Sequence, residues 1–434
     1  MIKEIRTRFA PSPTGFLHVG GVYTALFSYS FAKKNKGKFI LRIEDTDVKR
    51  YVPEAEKVIY DGFHWLGLKY DEGPDIDGLF GPYRQSERLN FYHQYAEKLL
   101  KDGLAYEKEG ALWFKVPEGQ TSWEDLVRGK IEFENNQIQD FVILKSDKYP
   151  SFNFAVTIDD WQMKISHVIR AEDHISNTPR QIMIYKALES PVPEFAHLPL
   201  LRNPDHSKIS KRKDPVAISW YQEQGYLSEA LLNFLCLLGW SHPEGKDIFS
   251  IEEFIKNFSF KRVSKSAPIF DFKKLDWLNG VYIRQKTDKD LSKLLKTFAD
   301  KKMTDGLIEK TIPLVKERLV KLADYPNLVD FFIEEPKVEQ KLLLEKGGKD
   351  KKLIKKQIEI ILKELERAEW EAVNLENLFR GIAQAQNYHV GKFFMAARIA
   401  LTGKSGTPPL FETMALLGKE RTIKRLRVVV KKLK

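Results

Sequence analysis

A single cysteine, Cys236, stands among the 434 residues, which excludes an internal disulfide and any zinc site built on several thiolates. It lies in the apolar run Leu231-Leu232-Asn233-Phe234-Leu235-Cys236-Leu237-Leu238, the setting of a core thiol rather than a nucleophile. No stretch approaches the roughly 18 consecutive apolar residues that a membrane-spanning helix needs. At the N-terminus, Met1-Ile2-Lys3-Glu4-Ile5-Arg6 places charges where a secretory signal carries an apolar segment, so a reducing cytoplasm is the expected location. Two nucleotide-binding motifs are missing as well. There is no Gly-x-x-x-x-Gly-Lys-Ser/Thr loop and no Gly-x-Gly-x-x-Gly behind a strand, so any phosphate site must be assembled in another way.

What the chain has in quantity is positive charge and aromatic bulk. Lys and Arg number 71 against 60 Asp and Glu, a formal net charge of +11. Such an excess suits a polyanionic partner, since a basic surface gains affinity by releasing counterions from phosphates, although an ordinary basic enzyme carries it equally well. A hydrophobic share of 43% and an aromatic share of 12% exclude a largely disordered chain. A chain of this length is expected to form roughly two to four domains with sizeable cores.

The first 45 residues read as strand, helix, strand. Residues 5–10 form a short extended run closed by the rigid turn Pro11-Ser12-Pro13-Thr14-Gly15. Val22, Ala25, Leu26 and Tyr29 then recur at helical spacing, Gly37 is the expected stop, and residues 38–44 return as a strand. Such a unit predicts a parallel sheet with a right-handed crossover, and ligands on these sheets sit at the carboxyl ends of the strands. His18, Gly20 and Glu44 are thereby expected at one crevice. Helices are predicted over 53–66 and 87–101, the second capped by Ser86. Short strand-like runs at 111–116, 131–133 and 141–144 mark an insertion.

The α/β pattern resumes with His167-Val168-Ile169-Arg170, a helix capped by Asn177 with Pro179 just inside it, and a polar loop at 208–212. Beyond Val216 the pattern is mostly helical, with Lys346-Gly347-Gly348-Lys349-Asp350-Lys351-Lys352 as the expected linker. The predicted class is α/β with an α+β insertion, followed by a mainly helical C-terminal half.

Two segments carry phosphate chemistry. His18-Val19-Gly20-Gly21 opens the first helix, where backbone N–H groups and the helix dipole favour anions; glycine permits close approach and His18 can donate to a phosphate oxygen. Lys208-Ile209-Ser210-Lys211-Arg212 sets three cations and a hydroxyl on one loop, suited to the moving charge of a pyrophosphate leaving group. Each alone also fits a blander role, a helix cap or a solvated basic loop.

Together they resemble something specific. Pro11-Ser12-Pro13-Thr14-Gly15-x-x-His18-x-Gly20, with Lys208-x-Ser210-Lys211-Arg212 beyond the insertion, is similar to the two signature motifs of class I aminoacyl-tRNA synthetases. The closer resemblance is to the bacterial-type glutamyl-tRNA synthetases. It rests on Arg8-Phe9-Ala10-Pro11, Arg42-Ile43-Glu44-Asp45-Thr46-Asp47 and Gly81-Pro82-Tyr83-Arg84-Gln85-Ser86-Glu87-Arg88. Val168-Ile169-Arg170-Ala171-Glu172-Asp173, Leu200-Leu201-Arg202-Asn203-Pro204-Asp205 and Ala397-Arg398-Ile399-Ala400-Leu401-Thr402-Gly403 extend it over essentially the whole chain.

The resemblance implies a Rossmann-type catalytic domain over 1–100 and 151–215 and a shortened acceptor-end insertion over 101–150. It further implies a stem-contact region over 216–285 and two helical anticodon-binding domains over 286–345 and 346–434. The implied activity is glutamate–tRNA ligation: ATP activates glutamate as glutamyl-adenylate, and the 3′-terminal adenosine of tRNA(Glu) takes the glutamyl group. His18, Lys208 and Lys211 are the implied catalytic residues, and His18, Gly20, Lys208, Ser210 and Lys211 surround ATP. Arg8, Ala10, Ser12, Glu44 and Arg170 are implied to form the glutamate pocket, with Arg8 and Arg170 on the acidic groups and Glu44 balancing the α-ammonium. Arg318 and Arg398 match arginines that read anticodon bases. Mg²⁺ is expected to travel with ATP, and no protein-held metal, zinc included, is expected. The expected enzyme is a cytoplasmic monomer without membrane contact.

Three departures mark this chain within the resemblance. Tyr23 stands where the family commonly has arginine, Phe152 where it commonly has tyrosine, and the region between Tyr106 and Phe114 is much shorter. Two other readings stay open: a synthetase that charges tRNA(Gln) instead or in addition, and a non-catalytic tRNA-binding protein of the same fold.

Overall fold

The alternating run Arg6-Thr7-Arg8-Phe9 is the first strand, β1 (Arg6–Phe9), and its partner β2 (Lys38–Leu41) runs parallel to it with Arg6 opposite Lys38. Helix α1 (Val19–Lys34) makes the crossover and buries Val22, Ala25, Leu26 and Phe27. The computed structural model describes residues 4–13, 15–47, 50, 52–207, 209 and 216–433. α1 ends at Lys34, short of the expected stop at Gly37. Gly37 serves a different need, because a Cβ there would fall on the Ile5 carbonyl oxygen, which accepts the Lys38 N–H at 2.8 Å.

Helix α2 (Pro53–Leu66) matches its predicted span and stops at Gly67 in the left-handed region. The next helix begins later than predicted: a 3-10 turn (Gln85–Arg88) precedes α3 (Leu89–Lys101). Ser86 is not a cap, because its N–H and hydroxyl both bond the Asp45 carboxylate, at 2.8 and 2.6 Å. Strands β3 (Ala105–Lys108), β4 (Ala111–Phe114), β5 (Gln120–Asp125), β6 (Gly129–Glu134) and β7 (Phe141–Leu144) fill the insertion. Three of them form an antiparallel sheet of order β3-β4-β7.

Helix α4 (Phe152–Gln162), strand β8 (His167–Ala171), helix α5 (Thr178–Ala187) and strand β9 (Glu194–Leu198) restore the α/β rhythm. β8 and β9 are parallel, and the β5–β6 hairpin joins the far edge of β9, giving the order β6-β5-β9-β8. The Ser166 N–H donates to the Arg6 carbonyl at 2.9 Å, which sets β8 beside β1. Asn177 precedes α5 as predicted but makes no capping hydrogen bond; its side-chain oxygen accepts from Asn153 instead.

Four helices complete the first compact unit, Met1–Leu278: α6 (Ile218–Glu223), α7 (Ser228–Gly239), α8 (Ile251–Asn257) and the start of α9 (Phe272–Gln285). Tyr23 of α1 packs on Gly239 of α7 so closely that a Cβ at Gly239 would fall on the Tyr23 hydroxyl. That hydroxyl is buried and has no hydrogen-bond partner among the described residues. Tyr23→Phe is therefore expected to stabilise the protein by about 1 kcal/mol, read as a raised denaturation midpoint, because an unpaired buried donor costs about its desolvation. A lowered midpoint would show that the hydroxyl is satisfied.

The second unit, Asn279–Lys434, is helical throughout its regular structure among the described residues. It holds α10 (Asp288–Lys296), α11 (Asp305–Val315), α12 (Tyr325–Val329), α13 (Gln340–Gly347) and α14 (Lys351–Leu365). α15 (Ala372–Ala385), α16 (Val390–Thr402), α17 (Leu410–Leu417) and α18 (Lys419–Lys432) follow. Of residues 346–352, read as a linker, only 348–350 lie between α13 and α14, with Asp350 capping α14 and a Cβ at Gly347 only 3.1 Å from Ala396. The class expected from sequence, a parallel α/β sheet with an α+β insertion and a helical C-terminal half, is the class observed.

Candidate active site

A cavity of about 550 Å³ opens beside the carboxyl ends of β1 and β8. Arg8, Ala10, Ser12, His18, Gly20, Glu44 and Arg170 all line it, so every described residue predicted for the two small substrates converges on one space. Lys208, Ser210 and Lys211 lie outside the described residues. The chain flanking them is placed, however. Ile209 lines the cavity, and the return of the loop is stitched to the first motif by an antiparallel bridge between His18 and Ala217. Val19 donates to the Val216 carbonyl at 2.8 Å and Ile218 to the Leu17 carbonyl at 2.9 Å. The start of α1 thus meets residues 216–218, almost 200 residues further along the sequence.

His18 is the N-cap of α1, and its Nδ1 accepts the Gly21 N–H at 3.0 Å. An accepting Nδ1 carries no proton, so the neutral ring presents its N–H at Nε2. The ring lies close over the glycines: a Cβ at Gly20 would sit 3.2 Å from Nδ1, and one at Gly21 3.3 Å from the Phe9 ring. Glycine at both positions keeps the imidazole on the helix end, where backbone N–H groups already favour an anion.

Beneath the cavity floor runs a buried ionic lattice that the sequence did not announce. Arg8 forks onto Asp160 through Nε (3.0 Å) and Nη2 (3.2 Å). Arg42, fully buried, spans Asp160 (2.7 Å) and Glu44 (3.0 Å). Asp159 gathers Arg88 (2.6 Å), Gln85 (2.8 Å) and the Tyr92 hydroxyl. Burial alone would raise the Asp160 pKa, but Arg8 and Arg42 outweigh it and hold the carboxyl below its usual range. For Glu44 burial wins over Arg42 and Arg8, and its pKa is raised.

Arg170 differs from its neighbours. It is buried, yet among the described residues it hydrogen-bonds only neutral groups: His197 Nε2 (3.2 Å), the Thr178 hydroxyl (2.9 Å) and the Gln181 side-chain carbonyl (2.9 Å). Burial and then the like charge of Arg8 lower its pKa. A guanidinium buried without a carboxylate is costly unless an anionic ligand completes it. Phe152, half exposed at the same cavity, lies 5.5 Å from the His174 ring. Burial first, then Arg170, pushes the His174 pKa down to about 4, so this ring stays neutral near pH 7.

In the second unit Arg318, exposed on a 3-10 turn (Lys316–Arg318), and Arg398 of α16 feel each other's charge. Burial and then Arg318 lower the Arg398 pKa. Nη1 of Arg398 is fastened to the Thr407 and Pro408 carbonyls at 3.2 and 2.6 Å. Sequence reasoning missed Asp159, Asp160, Arg42, Asp125 and His197. The paired Asp159-Asp160 directly after the apolar stretch Phe154-Ala155-Val156-Thr157-Ile158 was the available signal, since buried acids demand partners. Among the described residues no group of three or more His, Cys, Asp or Glu converges on a metal position.

Comparison with known proteins agrees with this geometry. Residues 4–112 and 107–277 match the family described as tRNA synthetases class I (E and Q), catalytic domain, and residues 290–430 match an anticodon binding domain. The chain is 42% identical to the glutamate–tRNA ligase of Thermus thermophilus over 97% of its own length and 98% of that protein's. It is 38% identical to glutamate–tRNA ligase 1 of Fervidobacterium nodosum over 99% and 100% of the two lengths. The crystal structure of a glutamate tRNA ligase from Elizabethkingia meningosepticum in complex with its amino acid superposes with a TM-score of 0.87 at 32% identity, covering 99% of this chain and 100% of that one.

Proposed function

The chain belongs to the glutamate–tRNA ligases, class I aminoacyl-tRNA synthetases, and from that premise we propose how its residues share the work of activating glutamate and passing it to tRNA(Glu). One observation carries the assignment: Arg170, buried beside Arg8 and Glu44 without a carboxylate of its own, faces the same cavity as the capping residue His18. Glutamate supplies the missing anion. Arg170 and Arg8 bind its carboxylates, Ser12 hydrogen-bonds it, the Ala10 backbone packs against it, and Glu44 takes its ammonium. The ammonium also adds a countercharge at Glu44 to that of Arg42, against the burial that raises its pKa.

ATP then lies across the start of α1, with Gly20 giving room and His18 Nε2 donating to a phosphate oxygen. A glutamate α-carboxylate oxygen attacks the α-phosphorus, the bond to the bridging oxygen breaks, and pyrophosphate leaves with that oxygen. Lys208, Ser210 and Lys211 are the groups to which we assign the leaving charge. In a second step a ribose hydroxyl of the terminal adenosine attacks the activated carbonyl and AMP departs. Positioning and fixed charge do the catalysis, with no covalent enzyme intermediate. We assign Mg²⁺ to the ATP phosphates rather than to an all-protein cage.

Residues 101–150 meet the acceptor end, 216–285 the stem, and 286–345 and 346–434 the anticodon. We assign Arg318 and Arg398 to anticodon bases. No helix among the described residues is long and apolar enough to cross a membrane; the reading is a cytoplasmic monomer, with tRNA(Gln) as a second acceptor to be tested. Charging of purified tRNA(Glu) and tRNA(Gln) with labelled glutamate tests it, by wild type and by Arg318→Gln. The wild type is expected to load tRNA(Glu), and the variant to shift the charging ratio by about tenfold, the worth of one base-reading arginine. Failure to load tRNA(Glu) defeats the reading, and an unchanged ratio removes Arg318 from it.

A further inference from the structure

Arg170 keeps its charge free for a ligand because of what stands behind it. Its Nε donates to Nε2 of His197 at 3.2 Å. Nδ1 of the same ring lies 2.5 Å from Asp125 Oδ2, and neither His197 nor Asp125 exposes any side-chain surface. Asp125 comes from the insertion: it is the last residue of β5, the one that pairs with Phe195 of β9. Its other oxygen accepts three backbone N–H groups, from Val127 (3.0 Å), Arg128 (2.9 Å) and His197 (3.2 Å).

An ionised carboxylate only accepts, so Nδ1 must be the donor and Nε2 the acceptor. That single tautomer gives Arg170 a neutral lone pair to rest on. A carboxylate in the same place would neutralise the guanidinium, and a ring with its proton on Nε2 would turn donor against donor. We propose that Asp125 and His197 are positioning residues for the amino-acid pocket, holding Arg170 aligned and uncompensated so that the substrate carboxylate becomes its counter-ion. This rests on the assignment of Arg170 to glutamate made above. It also means that the pocket is completed by the insertion rather than by the catalytic sheet alone.

Asp125→Asn tests the relay with almost no change in volume. The three backbone donors require oxygen at the Oδ1 position, so the new NH₂ is forced to face His197 Nδ1, and the ring proton moves to Nε2. Aminoacylation of tRNA(Glu) by the full-length enzyme should then show the glutamate KM raised about tenfold or more, the worth of one charge-assisted hydrogen bond. The ATP KM and the kcat at saturating glutamate should change far less. A purely structural role would lower the active fraction, and hence kcat, while leaving the glutamate KM alone; that result overturns the proposal.

His197→Gln, which keeps an amide oxygen for Arg170 and an N–H for Asp125, should raise the KM less than His197→Leu does. This ordering reads the relay even if Asp125→Asn folds poorly, and equal KM values for the two His197 variants would overturn it. Arg170→Gln, measured alongside, separates the two levels. If it raises the glutamate KM while Asp125→Asn and both His197 variants do not, the relay is wrong and the pocket assignment stands. If Arg170→Gln also leaves the KM unchanged, both fall.

Discussion

Arg170→Gln is expected to raise the glutamate KM by about two to three and a half powers of ten, the equivalent of about 3–5 kcal/mol for breaking a buried ion pair with the ligand. The free enzyme should behave in the opposite sense. Arg170 rests on His197, Thr178 and Gln181, all neutral, so its charge is stabilised by no direct carboxylate until substrate arrives. Removing that charge relieves an electrostatic cost while the glutamine amide still reaches part of the same polar set. Thermal denaturation of the unliganded variant should therefore give a midpoint equal to or above wild type, even as charging of tRNA(Glu) collapses at ordinary glutamate concentrations. Binding sites often store such opposed terms, in which charges arranged for a ligand burden the empty protein. A variant with a normal glutamate KM, or one whose midpoint falls steeply, would mean that Arg170 serves the fold instead.

His18 allows a sharper separation, because its two nitrogens do different work. Nδ1 caps α1 through the Gly21 N–H, which leaves Nε2 as the proton-bearing nitrogen. Asparagine is a strong N-cap and reaches the same N–H with its side-chain oxygen, but it has nothing at the Nε2 position. His18→Asn should keep the denaturation midpoint close to wild type and lower kcat by about 10²–10³, the loss of one donor to a developing phosphate charge. His18→Ala should lose the same activity and also about 1 kcal/mol of stability, the value of a cap. Both are measured by aminoacylation kinetics and chemical denaturation. If His18→Asn charges tRNA at the wild-type rate, the imidazole is a cap and nothing more.

Much of this site could be read in the sequence because its residues sit in short contiguous runs. Arg8, Ala10 and Ser12 stand at and just beyond the end of β1, and His18 and Gly20 at the first turn of α1, where strand-to-helix geometry alone brings them together. The spans of α2 and β7 were legible for the same local reason. Long-range competition was not. Ser86 had every local mark of a cap, but Asp45, forty-one residues earlier, takes both its N–H and its hydroxyl. Asn177 lost its capping role to Asn153 in the same way. Gly37 read as a helix stop, and only the closeness of the Ile5 carbonyl shows why a side chain is forbidden there. The lattice around Asp159 and Asp160 draws on β1, the segment just past β2, α4 and the turn before α3, and Asp125 lies 72 residues from the histidine it orients. Periodicity and motif spacing carry no information about such pairings.

The contact between Tyr23 and Gly239 sets a rule for anyone who recombines this enzyme with its relatives. The two residues occupy one volume: the tyrosine hydroxyl stands where any Cβ at 239 would go. Many family members carry arginine at the position of Tyr23. Moving such a helix into this chain would bury a cation beside Cys236 and set it against Arg128 for the carboxylate of Glu172. α1 and α7 are therefore one inheritable part, although some two hundred residues separate them. A chimera that takes its α1 from one parent needs its α7 from the same parent.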